Sequence, residues 1–293
     1  MRVCIQCEAK ITETGWDCPI CGWSPQKQEN FPLLSPYLAS GFPDYPIDAH
    51  DKRVNIEENS FWFLCRNDII TNTLRKAFPK ARNLLEIGCG TGIVLSGISK
   101  IFPDIMLFGA EAYPSALIHA KKRVKKAELA QIDAYRLPFI EEFDVVCAFD
   151  VLEHLEDDIL ALKNLFMSTK SNGGIIITVP QHPWLWSVVD EKAGHKRRYN
   201  SIDLNNKIQS VGFEVLFQTS FITLLLPMMM VSRWKKSKQY AYRMNDVRNE
   251  LNLSKPLNKI FRYICSLEVH WLQKGFSLPI GGSLLCVARK KKI

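Results

Sequence analysis

The stretch Leu85-Glu86-Ile87-Gly88-Cys89-Gly90-Thr91-Gly92 decides the fold class of this 293-residue chain. Residues 84–87 predict a short buried strand, and three glycines follow it at alternate positions. Glycine lets the backbone turn tightly after a strand and approach a ligand that a Cβ atom would exclude. In the dinucleotide-binding motif the third glycine falls one place later, where this chain has Ile93. The glycines therefore indicate a different nucleoside site, and a tight structural turn is the alternative interpretation.

Strand and helix patterns alternate on both sides of this stretch. Apolar spacing predicts helices at residues 61–78, 93–101, 115–126, 159–166 and 203–211. Further strands are predicted at residues 105–108, 129–132, 143–149, 175–179, 214–219 and 283–288. Strands that alternate with helices predict a doubly wound α/β fold with a mostly parallel, seven-stranded sheet.

Acidic residues follow three of the predicted strands. Glu111 ends the second strand of the sheet, Asp133 ends the third, and Asp150-Val151-Leu152-Glu153-His154 follows the fourth. The carboxyl ends of parallel strands meet at one edge of an open α/β sheet, where ligands bind. Together with the glycine turn, these positions resemble class I S-adenosylmethionine-dependent methyltransferases over about residues 80–220 and the last strand. A solvent-exposed turn acid is the alternative at Glu111 and at Asp133.

The resemblance implies that the chain uses S-adenosylmethionine. It implies that Glu86 and the glycines line the amino-acid end of the cofactor, that Glu111 holds the ribose hydroxyls, and that Asp133 borders the adenine. The cofactor-binding residues implied in this way are Glu86, Gly88, Cys89, Gly90, Gly92, Glu111, Ala112, Asp133, Ala134, Asp150, Val151 and Leu152.

Two histidines are the predicted catalytic residues. The sulfonium of the cofactor is already a strong methyl donor, but a hydroxyl acceptor needs a base or a hydrogen-bonding partner near neutral pH. His154 follows the fourth strand, and His195 lies in a polar loop after the fifth; His182 is a further candidate. Arg198, in the same loop as His195, is expected to pair with a phosphate or carboxylate of the acceptor. The alternatives are a loop-ordering role for His154 and an exposed basic loop around His195.

The loop from Pro180 to Tyr199 and the closing residues 277–285 resemble a narrower group of bacterial methyltransferases linked to polysaccharide or glycolipid assembly. That resemblance implies an acceptor in sugar or polyprenyl-linked chemistry. The leading hypothesis is O-methylation of a small-molecule, glycan or glycolipid acceptor. An RNA methyltransferase is the alternative, because some enzymes that modify ribosomal RNA also join an N-terminal zinc module to this fold. A third interpretation is a zinc-dependent interaction module on a cofactor fold that has lost its activity.

Four of the nine cysteines form two close pairs in residues 1–25, Cys4-x-x-Cys7 and Cys18-Pro-Ile-Cys21. Four thiolates at this spacing predict a closed, structural zinc site in a small zinc-ribbon-like module, and a redox-active pair is the alternative. Residues 26–60 are predicted to be a proline-rich linker, and its prolines make regular helix or central strand improbable from Pro25 to Pro46. The methyltransferase domain is expected to occupy residues 61–293.

A helical insertion is predicted at residues 221–281, before the last strand. Its apolar run 221–231 is too short to span a membrane and is followed by Arg233, Trp234, Lys235 and Lys236. Residues 221–238 are therefore interpreted as either a lid or a peripheral membrane contact. The net charge of +8 indicates anionic partners, with solvated helix faces as the alternative. No secretory signal is visible, so the chain is expected in the cytoplasm or at the inner face of the membrane.

Overall fold

The computed structural model describes residues 1–11, 15–40, 49–237 and 253–291. Its strands are β1 (Arg2–Val3), β2 (Lys10–Ile11), β3 (Gln26–Gln28), β4 (Phe31–Leu33), β5 (Asn83–Ile87), β6 (Met106–Glu111), β7 (Glu128–Gln131), β8 (Phe143–Phe149), β9 (Thr169–Pro180), β10 (Phe213–Phe221) and β11 (Ser283–Lys290). Its helices are α1 (Pro36–Ser40), α2 (Ala49–Asn59), α3 (Phe61–Ala77), α4 (Ile93–Ile101), α5 (Pro114–Arg123), α6 (Asp158–Ser168), α7 (Val188–Lys192), α8 (Ser201–Ser210), α9 (Leu226–Ser237) and α10 (Lys255–Gln273). Short 3-10 turns lie at Leu152–His154 and Pro183–Leu185.

The seven predicted strands form one sheet together with β3 and β4, in the order β10-β11-β9-β8-β5-β6-β7-β4-β3. β5 lies between β6 and β8 and is parallel to both, and β7 and β9 continue the parallel pairing outward. β11 is antiparallel to β9 and to β10. The α/β fold with a mainly parallel sheet is therefore confirmed, and the chain reverses its direction of winding between β5 and β8.

The proline-rich segment contributes to this sheet, which corrects the predicted count of seven strands to nine within the described residues. β4 pairs in parallel with β7 through Leu33 and Gln131, and β3 is antiparallel to β4. A proline removes only one ladder donor, so a short strand near the sheet edge tolerates Pro32. The expectation that residues 25–46 contain no regular helix was also wrong, because α1 forms at Pro36–Ser40. The domain boundaries remain predictions.

The two faces of the sheet are buried under different helices. Neighbouring strand residues point to opposite faces, so that Leu84 joins one apolar cluster and Leu85 the other. The cluster that contains Leu84 includes residues of α3, α4, α5 and α10, and the cluster that contains Leu85 includes residues of α6 and α8. Each parallel strand is thus buried on both sides, and ligands have access to it only at its ends.

The N-terminal module docks against the sheet near β6 and β7. Arg2 pairs with Glu128 through two hydrogen bonds of 2.7 and 2.6 Å. Its guanidinium also lies 4.6 Å from the ring centroid of Trp16, which in turn packs edge-on against Phe108 and Phe139. The module is therefore a packed part of the molecule and not a free appendage.

The insertion packs on the helical layer through α10. The ring of Phe261 lies edge-on to Phe61 of α3 at 5.2 Å, and the Asn258 side chain accepts a hydrogen bond of 2.8 Å from the Phe61 amide. Residues 238–252, and the side chains of Trp234, Lys235 and Lys236, lie outside the described part of the chain. None of the described helices is both long enough and apolar enough to cross a membrane.

Candidate functional site

The three glycines of the turn have left-handed backbone conformations for different reasons. Gly88, Gly90 and Gly92 have φ values of 67°, 52° and 77°. A Cβ atom at Gly88 would lie 2.5 Å from a methyl carbon of Val151, and one at Gly92 would lie 2.9 Å from Cα of Ala120. A Cβ atom at Gly90 would meet nothing within 4 Å. Two glycines therefore allow close packing, while Gly90 has open space on the side where a Cβ atom would stand.

Glu111 faces this turn from the end of β6. Its buried carboxylate accepts hydrogen bonds from the backbone N–H groups of Gly90 (2.7 Å), Ala112 (2.8 Å) and Tyr113 (3.1 Å). Burial raises the pKa of Glu111, and these three donors oppose the rise. A carboxylate has about four acceptor positions, so about one remains for a ligand. Holding both hydroxyls of a ribose would require one backbone bond to give way.

Glu86 and Cys89 lie behind the turn and are both buried. Oε2 of Glu86 has no hydrogen-bond partner among the described residues. Burial raises the pKa of Glu86 to about 8, and the neighbouring Glu111 adds to the rise. Burial likewise raises the pKa of the Cys89 thiol. Glu86 is thus the least satisfied carboxylate of the predicted cofactor set.

Asp133, predicted to border an adenine, is held by two donors. The Tyr135 amide donates to it at 2.8 Å, and the phenol of Tyr37 donates to its other oxygen. Desolvation and the hydrogen bond to Asp133 raise the pKa of Tyr37. Ala134, next in the chain, is half-buried. No pattern in the sequence pointed to Tyr37, because this residue reaches Asp133 from the proline-rich segment.

The residues after β8 close the other side of the turn. Asp150 has a φ of 57°, and one of its carboxylate oxygens lies 3.0 Å from Nε of Arg66 in α3. Val151 contacts Gly88, and Leu152 is buried below. The cofactor residues predicted after β5, β6, β7 and β8 are therefore brought together at one edge of the sheet.

Helix α2 adds a contact to the glycine turn that the sequence did not reveal. The buried carboxylate of Glu57 accepts a hydrogen bond from the hydroxyl of Thr91 and lies 2.6 Å from Nη1 of Arg123. Arg123 also donates to the Thr91 carbonyl at 3.2 Å. Arg123 belongs to a run of basic residues at 121–126. The interpretation of the basic charge as solvated helix faces was wrong for this residue, because it pairs with the buried Glu57.

The two predicted catalytic histidines lie side by side. The ring centroids of His154 and His195 are 4.8 Å apart, with the rings edge to face. Desolvation by the surrounding protein, together with the proximity of His195, lowers the pKa of His154 to about 4, although part of its side chain is exposed. The third candidate, His182, lies in a different environment and stacks on Trp184 at 5.0 Å.

Asp190 orients His195. Nδ1 of His195 lies 3.0 Å from the carboxylate of Asp190, which is completely buried. Arg198 donates to the same carboxylate at 2.8 and 2.7 Å, and Arg233 of α9 does so at 2.6 Å. Burial would raise the pKa of Asp190, but the bonds from His195 and Arg198 lower it overall. The expectation that Arg198 pairs with an acceptor was wrong, because this side chain is buried against Asp190. The sequence analysis did not identify Asp190. The signal that could have found this residue is the helix capping box that it forms with Ser187.

The four N-terminal cysteines converge. Their sulfur atoms all lie within 4.8 Å of one another, with Cys4 Sγ 3.7 Å from Cys21 Sγ and Cys7 Sγ 3.6 Å from Cys18 Sγ. The amide of Gln6 donates to Cys4 Sγ at 3.3 Å. All four are free thiols. The arrangement suits a four-thiolate metal site and contains no disulfide.

The sequence profile of the family described as "Methyltransferase domain" matches residues 62–218, just over half of the chain. The chain belongs to this family. It carries the domain of an S-adenosylmethionine-dependent methyltransferase, which confirms the enzyme class and the cofactor predicted from the glycine turn.

Individual methyltransferases are similar to parts of the chain. A probable S-adenosylmethionine-dependent methyltransferase of Mycolicibacterium smegmatis is 24% identical over 173 residues, which are 58% of this chain and 66% of that protein. A ubiquinone biosynthesis O-methyltransferase of Bradyrhizobium diazoefficiens is 32% identical over 107 residues, 34% of this chain and 41% of that protein. Phosphoethanolamine N-methyltransferase 2 of Haemonchus contortus, solved with S-adenosylmethionine, aligns with a TM-score of 0.56 at 16% identity, covering 87% of this chain and 60% of that one. The structural likeness shows the fold, and each match spans less than two thirds of the relative's length.

Proposed function

We propose that this chain transfers the methyl group of S-adenosylmethionine to a hydroxyl oxygen of a small-molecule, glycan or glycolipid acceptor. The observation that carries the proposal is the backbone at Gly90, whose N–H donates at 2.7 Å to the buried carboxylate of Glu111 and beside which a Cβ atom would meet nothing within 4 Å. Bare backbone beside a carboxylate suits a nucleoside whose ribose has hydroxyl donors. In this arrangement Glu111 contacts the ribose, Asp133 and Ala134 border the adenine, and Glu86 with the glycines lines the amino-acid end.

The pair of histidines supports oxygen as the methyl acceptor. Methyl transfer from a sulfonium requires mainly in-line positioning and the exclusion of water. A hydroxyl oxygen also has to lose its proton, and we propose that His154 and His195 activate it. Asp190 holds Nδ1 of His195, which leaves Nε2 to face the acceptor. The relative from Bradyrhizobium is likewise named as an O-methyltransferase.

An acceptor screen tests this proposal. The purified protein is incubated with S-adenosylmethionine and separate sets of phenols, nucleotide sugars and polyprenyl-linked glycans, and release of S-adenosylhomocysteine is measured. We expect turnover with a hydroxyl acceptor and its loss in His195→Asn, whereas His270→Asn on the exposed face of α10 stays active. An RNA set covers the alternative substrate class; turnover there, with a steep salt dependence, would replace our proposal with RNA methylation.

The cysteine module is proposed to hold one structural zinc ion. Four converging thiolates are the donor set of closed tetrahedral zinc sites, whose metal stabilises domains too small to fold by burial alone. The module contributes few apolar residues to its own core, namely Cys4, Ile11 and Cys18 with Ala9 and Trp23 packed against them. Zinc is therefore proposed to stabilise the folded cysteine module, which packs against β6 and β7.

The region around α9 is proposed to rest on the inner face of the membrane, in line with a lipid-linked acceptor and a cytoplasmic protein. Leu224, Met228, Met230 and Val231 are exposed large apolar side chains, of a kind that suits an interfacial segment. Co-sedimentation with phosphatidylglycerol vesicles tests the contact. Met228→Glu should weaken it and Ile202→Glu, at a more exposed position on α8, should not. Equal sedimentation of both variants would leave the lid interpretation of residues 221–238.

A further inference from the structure

Three side chains of types that can ligate a metal converge next to the turn that follows β8. Glu153 and His154 lie in the 3-10 turn after β8, and His195 comes from the loop after α7. One ligand atom of each side chain lies within 4.8 Å of the ligand atoms of the other two. Two imidazoles and one carboxylate form a donor set that divalent first-row transition-metal ions bind, with coordination positions left open.

The carboxylate of Glu153 is only partly satisfied by its surroundings. It is 1% exposed, and its Oε2 has no hydrogen-bond donor in the described part of the chain. Burying a carboxylate oxygen without a partner costs free energy, and coordination of a cation would offset that cost. Glu156, three residues further on, is exposed and lies 2.7 Å from Lys196. Glu153 therefore has the unused coordination capacity, and Glu156 does not.

His195 already has the support that metal-ligating histidines have in other proteins. A histidine that binds a metal with one ring nitrogen usually donates its other N–H to a carboxylate, which fixes the tautomer and the ring orientation. Nδ1 of His195 lies 3.0 Å from the completely buried Asp190, and Arg198 holds the same carboxylate in place. Nε2 of His195 is thus the ligand atom that remains available to an ion.

We propose that Glu153, His154 and His195 bind one divalent transition-metal ion, and that its open positions take the acceptor hydroxyl. Ligand atoms at neighbouring positions around an ion with bonds of about 2.1 Å are about 3.0–3.4 Å apart, so the site closes when side-chain rotations bring each pair of ligand atoms closer by at most about 1.8 Å. The inference rests on the proposed O-methylation for the identity of the bound oxygen. In this arrangement the two histidines activate the acceptor hydroxyl as ligands of the ion.

The ion would act as a Lewis acid. A hydroxyl bound to it releases its proton to water more readily. The oxygen then forms a bond to the methyl carbon as the carbon–sulfur bond breaks, and that electron pair stays on sulfur. The products are the methyl ether, S-adenosylhomocysteine and the proton, and the ion is unchanged.

Titration with Mn²⁺ followed by electron paramagnetic resonance tests the site. The protein is first given one equivalent of zinc, which the four thiolates bind in preference to the site with one carboxylate and two imidazoles, and unbound zinc is removed. Mn²⁺ binds oxygen and nitrogen ligands and competes poorly for thiolates. We expect one Mn²⁺ per chain, with affinity at least ~10-fold weaker in Glu153→Gln and in His195→Asn. Glu156→Gln is the matched control and should bind as the wild type does. A wild-type protein that leaves Mn²⁺ free, or variants that bind it as tightly as the wild type, would overturn the site.

Calorimetric titration of the same samples with S-adenosylhomocysteine separates this inference from the proposed function and shows that the variants are folded. Binding of S-adenosylhomocysteine without binding of Mn²⁺ rejects the metal site and leaves methyl transfer intact. Binding of Mn²⁺ without S-adenosylhomocysteine supports the metal site and contradicts the proposed function.

Discussion

Arg123 of α5 and Glu57 of α2 form a buried ion pair with 2.6 Å between Nη1 and Oε2. Both side chains also bond to Thr91, in the middle of the glycine turn. The pair therefore joins a helix of the proline-rich segment to the turn that is proposed to bind the cofactor. Helix α2, at residues 49–59, therefore belongs to the site itself, although the sequence places it in the predicted linker.

Loss of this pair should destabilise the fold. Glu57→Gln removes the buried carboxylate that pairs with Arg123 and leaves only the exposed Glu58 beside the guanidinium. Removal of one partner of a buried pair costs up to about 3–5 kcal/mol. Denaturant unfolding measures the change. The control is Glu58→Gln, because Glu58 is exposed and lies 3.3 Å from the same guanidinium; its loss should cost less than about 1 kcal/mol. Equal effects of the two substitutions would contradict the structural role of Glu57.

The glycines of the turn should respond differently to alanine. Gly92→Ala combines a positive φ with a Cβ atom 2.9 Å from Cα of Ala120, so we expect destabilisation by about 2–6 kcal/mol. Gly90→Ala adds only the backbone strain, about 1–3 kcal/mol, because nothing occupies the space around it. The folded Gly90 variant should nevertheless lose affinity for S-adenosylhomocysteine in calorimetry. Affinity equal to that of the wild type would show that the ligand does not approach this peptide.

Glu111 should control cofactor affinity. Glu111→Gln keeps the shape of the side chain but removes the charge that accepts hydroxyl and N–H donors. Loss of charge-assisted hydrogen bonds costs about 1.5–3 kcal/mol, roughly ten- to over a hundredfold in the Kd of S-adenosylmethionine. Glu214→Gln, at an exposed position of β10, is the control and should not change the Kd. An unchanged Kd for Glu111→Gln would reject the ribose assignment.

Glu86 should make stability depend on pH. Its pKa is about 8 in the folded chain and 4.5 ordinarily, so the unfolded chain releases this proton first as the pH rises. Stability from the protonated carboxyl is complete below pH 4.5 and is lost as the pH rises to about 8. Relative to the wild type, Glu86→Gln should therefore gain stability from pH 5 to pH 8, by a few kcal/mol. Urea unfolding at several pH values measures the difference, and a pH-independent difference would contradict the raised pKa.

Zinc removal should loosen the N-terminal module. We expect one zinc per chain by elemental analysis, and Cys18→Ser should lower the zinc content and the Tm because Trp16 then loses its fixed position against Phe139. Cys286→Ala changes a buried cysteine of β11 and should retain the full zinc content. A wild-type preparation with well under one zinc per chain would reject the proposed site.

Local sequence patterns predicted much of the fold. The predicted bounds of the helix at residues 93–101 and the strand at residues 143–149 agree with α4 and β8. Both elements have strong apolar patterns and clear ends. The helix follows Gly92 and stops before Pro103, and the strand stops before Asp150. The order of the elements also predicted that Glu111 and Asp133 lie at the same edge of the sheet, because parallel strands place their carboxyl ends at one edge.

The sequence by itself thus determined the fold class, the glycine turn and the set of acids that follow the strands, since each depends on neighbours within a few residues. Only the tertiary structure decided that Tyr37 contacts Asp133, that Glu57 pairs with Arg123, and that Arg198 is buried on Asp190. These contacts join residues from separate elements, so their energies depend on distances that the packing of the sheet and helices sets. No local pattern carries that information, because a charged side chain has the same sequence signature in solvent and in a buried pair.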